Sequence, residues 1–227
     1  MAVTRDIAVI RDLLCRCRHL RGLSLENCDL DNDYETCLAI SRNGDLKFLN
    51  LALSSGVNAE GVSLIARDCR KMIELNLSWT CLDHKTVNSI CQLLPNSLLK
   101  LNFAGCRSNT MTDESNLTDS CPNLIELDIS DCTEITSKSL KMIAERLTSL
   151  QVISASRCYA IEPIAYIHYC KHLVELNVFS TIKDESMPVL KRALKNVLVN
   201  RNLFSTIARP TVGIRRSSIW GQKTRDD

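Results

Sequence analysis

A ten-residue string, NLIELDISDC from Asn123 to Cys132, returns along the chain at a fixed pitch. Its skeleton, Leu124-x-x-Leu127-x-Ile129-x-x-Cys132, also begins at Leu20, Leu46, Met72, Leu98, Leu150 and Leu173. Successive starts lie 26 residues apart five times and 23 apart once. A constant period of this size marks a repeat architecture, in which each unit is one supersecondary element stacked on the next.

Side chains alternate along a strand, so Leu127 and Ile129 are expected to face one way and Asp128 and Ser130 the other. Each buried aliphatic side chain is worth roughly 1.5–3 kcal/mol, yet one unit alone has nothing to bury its own against. Stacking the units removes that difficulty and turns the outward residues into ladders. The fold class implied is α/β, a leucine-rich-repeat solenoid or horseshoe with parallel strands on the concave side and helices outside.

The segments between strands carry helical spacing. Val87, Ile90, Cys91 and Leu94 fall at i, i+3, i+4 and i+7 behind Asp83, and Leu140, Ile143, Ala144 and Leu147 repeat the pattern behind Ser137. The shorter AIEPIAYIHYC accounts for the 23-residue step, with Pro163 expected in a first helical turn. Met187, Leu190 and Leu194 mark a last helix. The organisation read from the pattern is a partial N-terminal repeat (an outer helix) over 1–19, repeats over 20–200, and a C-terminal tail over 201–227.

Composition narrows the class. Of 227 residues 45% are hydrophobic and only 4% aromatic, which suits one elongated domain. The opening apolar residues are interrupted by Arg5, Asp6, Arg11 and Asp12, and no apolar run nears the ~20 residues of a membrane span, so neither a secretory leader nor a membrane association is expected. Eight of the twelve cysteines occupy two repeat-locked positions: Cys28, Cys106, Cys132 and Cys158 close the motif, and Cys17, Cys69, Cys121 and Cys170 precede it by three residues. Small buried thiols at the solenoid pitch are packing groups, not a disulfide framework, and imply a reducing compartment.

Charge is uneven. Residues 191–227 hold nine Lys/Arg against two acids, whereas 1–190 hold nineteen against twenty-four. A basic tail on an acidic body meets an anionic partner or lies against the body. The tail also carries Phe204, Ile207, Ile219 and Trp220, which are costly to leave in water. These four are the expected anchors by which the tail folds back on the concave face.

Catalytic grammar is missing from the sequence. His19, His84, His168 and His172 lack an H-E-x-x-H context, no glycine-rich phosphate loop occurs, and no serine has a nucleophile-elbow setting. The reading is a non-enzyme with no cofactor, no metal site and no nucleic-acid partner. What stands out instead is the row two residues after the second buried strand position: Asn27, Leu53, Trp79, Gly105, Asp131, Arg157 and Ser180. An exposed tryptophan, an aspartate and an arginine along one edge, with Arg107 close by, are what a protein-binding surface uses.

The strings LNLSWT, LNFAGCR, LDISDC, SASRCYAI, ELNVFS and FSTIARPTVG…IWG resemble, in register from about Ile10 to Gly221, the S-phase kinase-associated F-box family. Members of that family are leucine-rich-repeat substrate receptors of SCF ubiquitin ligases. The resemblance implies a receptor that binds a Cks-type cyclin-dependent-kinase regulatory subunit, captures a phosphorylated Kip-type inhibitor and presents it for ubiquitin-dependent degradation, driving the cell into S phase from nucleus and cytoplasm. The residues matching the family's Cks-type contacts are Trp79, Arg107, Asp131 and Arg157. No F-box lies before residue 20, so the SCF adaptor and cullin are expected partners only with an upstream F-box. The alternative is a stand-alone repeat module that competes with the full receptor.

Overall fold

The structure is a computed structural model that describes residues 7–30, 34–80, 82–106 and 114–202. Helices and short strands alternate strictly. In chain order they are α1 (Ile7–Arg16), β1 (Gly22–Ser24), α2 (Tyr34–Ser41), β2 (Phe48–Asn50), α3 (Ala59–Asp68), β3 (Glu74–Asn76), α4 (His84–Leu93) and β4 (Lys100–Asn102). The second half continues with α5 (Glu114–Ser120), β5 (Glu126–Asp128), α6 (Ser137–Arg146), β6 (Val152–Ser154), α7 (Pro163–Tyr169), β7 (Glu175–Asn177), α8 (Met187–Ala193) and β8 (Leu198–Val199).

The eight strands form one parallel sheet in sequence order. Gly22 lies opposite Phe48, Phe48 opposite Glu74, Glu74 opposite Lys100, Lys100 opposite Glu126 and Glu126 opposite Val152. Val152 then faces Glu175, which faces Leu198. The register therefore advances by the sequence period, 26 residues and then 23, and the chain is a leucine-rich-repeat solenoid. The apolar positions stay in register, so the row from Leu49 through Leu75, Leu101, Leu127, Ile153 and Leu176 to Val199 enters one continuous core. The motif leucines Leu46, Met72, Leu98 and Leu124 are fully enclosed.

Helices stand on the other side of this core, and their ends follow from local chemistry. Asp83 caps α4 by accepting from the Thr86 N–H at 2.8 Å, and Asn58 caps α3 through the Gly61 N–H at 2.6 Å. The cap of α6 is Thr136, one residue before the expected Ser137, because Thr136 and Ser139 bond reciprocally as a capping box. Pro163 begins α7, where its missing N–H costs nothing. At Gly61 a Cβ would lie 2.6 Å from Cys37 Cβ, so only glycine lets α3 approach α2 this closely.

Two expectations need correction. Ser130 does not face outward with Asp128; it is buried, because β5 stops at Asp128 and the chain has already turned. Cys17 and Cys28 are only half-buried, unlike the other six repeat-locked cysteines, since no neighbouring repeat among the described residues covers that flank. Phe204, Ile207, Ile219, Trp220 and Arg107 lie outside the described residues, as do residues 1–6 of the first unit.

The buried thiols form a ladder of their own. Cys106 Sγ reaches Leu77 O at 3.9 Å, Cys132 Sγ reaches Phe103 O at 3.4 Å and Cys158 Sγ reaches Ile129 O at 3.1 Å, each a carbonyl of the preceding repeat. Burial pushes the thiols of Cys69, Cys121, Cys158 and Cys170 up to about 12, and that of Cys132 well above the ordinary range. A group whose folded pKa is raised supports the fold below its unfolded pKa and withdraws that support as pH rises toward the folded value. Stability measured by urea is expected to be flat up to about pH 8, near the unfolded thiol value, and to fall steadily above it. A Cys→Ser or Cys→Ala series at these positions should flatten the alkaline fall; an unchanged slope would contradict the thiol account.

Candidate functional site

Each of the strands β1–β7 ends in the same tight turn, and the residue at its apex has a positive φ. These residues are Asn27 (57°), Leu53 (59°), Trp79 (60°), Gly105 (78°), Asp131 (60°), Arg157 (60°) and Ser180 (55°). They are the row singled out by counting along the motif. Six of the seven carry a Cβ, and the left-handed conformation costs such a residue roughly 1–2 kcal/mol.

Two hydrogen bonds hold the turn against that cost. The strand-end side chain accepts from the N–H two residues on: Asn50 from Ala52 at 2.9 Å, Asn76 from Ser78 at 3.0 Å, Asn102 from Ala104 at 2.8 Å and Asp128 from Ser130 at 2.9 Å. The apex N–H then donates to the next repeat: Leu53 to Ser78 O, Trp79 to Ala104 O, Gly105 to Ser130 O and Asp131 to Ser156 O, all at 2.8 Å. Where Ser154 stands instead of Asn or Asp, the Ser130 hydroxyl of the preceding repeat accepts from the Ser156 N–H at 3.2 Å. In the following repeat the Ser156 hydroxyl accepts in the same way from Phe179 N–H at 3.1 Å.

Side chains along this row interact from one repeat to the next. A Cβ on Gly105 would lie 2.6 Å from Trp79 Cε3 and 2.7 Å from Cε2, so the indole rests over the glycine backbone. Gly105 thus serves twice, sparing the turn the cost of a left-handed residue with a Cβ and making room for the ring. Arg157 forks onto Asp131, with Nε to Oδ1 at 2.8 Å and Nη2 to Oδ2 at 2.6 Å. This is the bidentate geometry that makes such pairs both strong and directional. The hydrogen bond with Asp131 raises the guanidinium pKa further, against a smaller opposing effect of burial.

The expectation of freely exposed charges is corrected here: Asp131 is 8% exposed and Trp79 and Arg157 are half-buried, because each leans on its neighbour along the row. Trp79, Asp131 and Arg157 therefore come together on one edge, while Arg107 is outside the described residues. Leu53 and Tyr159 are exposed members of the same edge that sequence counting did not single out as contacts. Tyr159 sits two residues past Arg157 in the string SASRCYAI and was the available signal.

Beside this edge the concave face forms a groove of about 650 Å³. One of its rows is charged: Lys100 Nζ lies 2.8 Å from Glu126 and 3.9 Å from Glu74. Glu175 lies 3.9 Å from Arg201. Asp128, in the next row, has its carboxyl pKa raised by burial against the opposing hydrogen bonds of Ser130. Carboxylates thus outnumber cations along the described groove floor, and Asn202 lines its far end.

A family model described as the SKP2 LRR domain matches residues 2–227. Among solved structures, the leucine-rich-repeat protein LegL7 of Legionella pneumophila aligns with a TM-score of 0.51 at 14% identity, over 83% of this chain and 76% of that one. Rad7, in a yeast complex with Elc1, aligns with a TM-score of 0.42 at 14% identity, over 92% and 77%. The tropomodulin C-terminal domain of Caenorhabditis elegans aligns at 0.37 and 10%, over 84% and 92%. The LegL7 likeness extends to the fold alone.

The packed row makes a direct prediction. Gly105→Ala should lower stability by about 1–2 kcal/mol through the left-handed turn and displace the indole. The emission maximum of Trp79, read in a Trp220→Phe background, should shift. An unmoved spectrum together with wild-type stability would contradict the stacking.

Proposed function

The chain belongs to the SKP2 LRR domain family, and from that premise we propose that it is a substrate-recognition module of an SCF-type ubiquitin ligase. Its work is binding, not catalysis. The strand-end row receives a Cks-type kinase regulatory subunit, and the two together capture a phosphorylated Kip-type inhibitor for degradation, in nucleus and cytoplasm.

The observation that carries this reading is the juxtaposition of Trp79, Asp131 and Arg157 on a row of hydrogen-bonded turns. A partly exposed indole flanked by a directional ion pair offers one apolar anchor and two charges of opposite sign. Because the backbone bonds already fix the turns, little conformational freedom is left to lose on binding. Arg107, two residues beyond Gly105, is assigned to the same surface by the family resemblance.

The tail belongs to the same proposal. Residues 203–227 follow directly on Asn202 at the groove's end, and they hold five Lys/Arg against two acids. A basic segment with Phe204, Ile207, Ile219 and Trp220 complements a groove in which Glu74, Glu126, Asp128 and Glu175 outnumber Lys100. Docked there, it would form one wall of the receptor's binding surface.

A charge exchange separates partner recognition from internal stability. The double variant Asp131→Arg/Arg157→Asp can keep an ion pair within the chain while reversing what the partner meets. It should fold, with a urea midpoint near that of the wild type, and lose affinity for a Cks-type subunit by about tenfold or more. Wild-type affinity in the folded double variant would remove these residues from the interface. Trp79→Ala should cost about 2 kcal/mol of the same binding free energy.

A further inference from the structure

The opposite edge of the sheet, where the chain enters each strand, carries a second row that the strand-end surface does not use. The residue before each strand from β1 to β5 stands in register, Arg21, Lys47, Ile73, Leu99 and Ile125, and Gln151 and Val174 continue the row before β6 and β7. Their adjacency is fixed by the backbone, since Lys47 N–H donates to Arg21 O at 2.8 Å, Ile73 to Lys47 O at 2.8 Å, Leu99 to Ile73 O at 2.9 Å and Ile125 to Leu99 O at 2.8 Å. Arg21 is exposed, and Lys47, Ile73, Leu99 and Ile125 are half-exposed.

Two features of this row call for a ligand. Arg21 and Lys47 are like charges side by side on neighbouring strands, an arrangement that destabilises a sheet. Several cations elsewhere sit on carboxylates, among them Lys71 on Asp45, Lys100 on Glu126, Arg146 on Asp119 and Arg157 on Asp131, whereas no such neighbour separates this like-charged pair. Among the described residues neither Arg21 nor Lys47 has an ion partner, and Asp45, two residues before Lys47, is already held by Lys71 at 2.6 Å and His19 at 3.7 Å. Nor do they lie at the end of a helix, where a cation would serve the helix dipole: α1 stops at Arg16 and α2 at Ser41. The second feature is the apolar run Ile73–Leu99–Ile125, half-exposed and continuous with the two cations.

We propose that this strand-entry row is a second interaction surface, which takes an extended polypeptide segment acidic at one end and apolar at the other. With strands ~4.8 Å apart, five positions span about 19 Å, or some six residues of extended chain. Acidic side chains of the segment neutralise Arg21 and Lys47, and its apolar side chains cover Ile73, Leu99 and Ile125. A nucleic acid fits less well, because the five positions offer three aliphatic side chains and no aromatic ring for a base to stack on. The surface lies across the sheet from Trp79, Asp131 and Arg157, so it can be occupied together with them.

The test is fluorescence anisotropy on the full chain with a labelled peptide, Glu-Glu-Ser-Leu-Ser-Leu. The same peptide with Gln for Glu and an oligothymidine of equal charge serve as competitors. Arg21→Glu/Lys47→Glu should weaken binding about tenfold. Lys138→Glu/Lys191→Glu makes the same change in net charge on exposed sites elsewhere, and should leave binding within about twofold. The Gln peptide should compete poorly, and circular dichroism should confirm that both doubles are folded. Equal losses in the two doubles, stronger competition by oligothymidine, or no saturable binding of the peptide would each overturn the proposal.

Discussion

The hydrogen bond from each turn-apex N–H to the next repeat's carbonyl is the constraint on which the rest of this molecule depends. It ties a strained, left-handed residue to its neighbour at every step from Asn27 to Arg157. The strand-end Asn or Asp side chain adds the second tie from Asn50 to Asp128, and the Ser130 and Ser156 hydroxyls take that place in the repeats of Ser154 and Asn177. Since the same bonds both close the turn and join the repeats, display and stability cannot be separated. A side chain at the apex is presented by the very contact that stacks the solenoid.

That coupling explains why the candidate site lies at an edge and not in the groove. Apex residues are held by the backbone and are free to specialise: Trp79 lies on Gly105, and Arg157 grips Asp131. Groove residues are chosen for charge alternation and turn chemistry, with Lys100 between two glutamates and the amide ladder occupied by backbone N–H groups. The strand-entry edge carries neither device, which leaves Arg21 and Lys47 without a carboxylate among the described residues. Three rows of one sheet thus have three electrostatic characters, set by which strand position each occupies.

Much of the fold was legible because its period is arithmetic. The 26-residue step of Leu46, Met72, Leu98 and Leu124 is the step of the sheet register itself, and Val87, Ile90, Cys91 and Leu94 turned out to be one buried helix face. The apex row was legible as a position but not as a conformation. Leu53, Trp79 and Arg157 are residue types that seldom adopt positive φ, and only the pull of the neighbouring repeat puts them there. The Asp131–Arg157 fork was likewise hidden, since a 26-residue separation becomes contact only through stacking. Ser130 misled for the opposite reason: alternation holds for three residues and ends with the strand.

The measurement that bears most directly on this account is amide hydrogen exchange of the free chain at the turn apices. If the turns are locked by inter-repeat bonds, the N–H groups of Leu53, Trp79, Gly105 and Asp131 should exchange only with global opening, as slowly as the core amide of Ile129, which donates to Ser154 O at 2.8 Å. Apex amides that exchange orders of magnitude faster than Ile129 would mean that the row opens locally, and that its side chains are not held in place before a partner arrives.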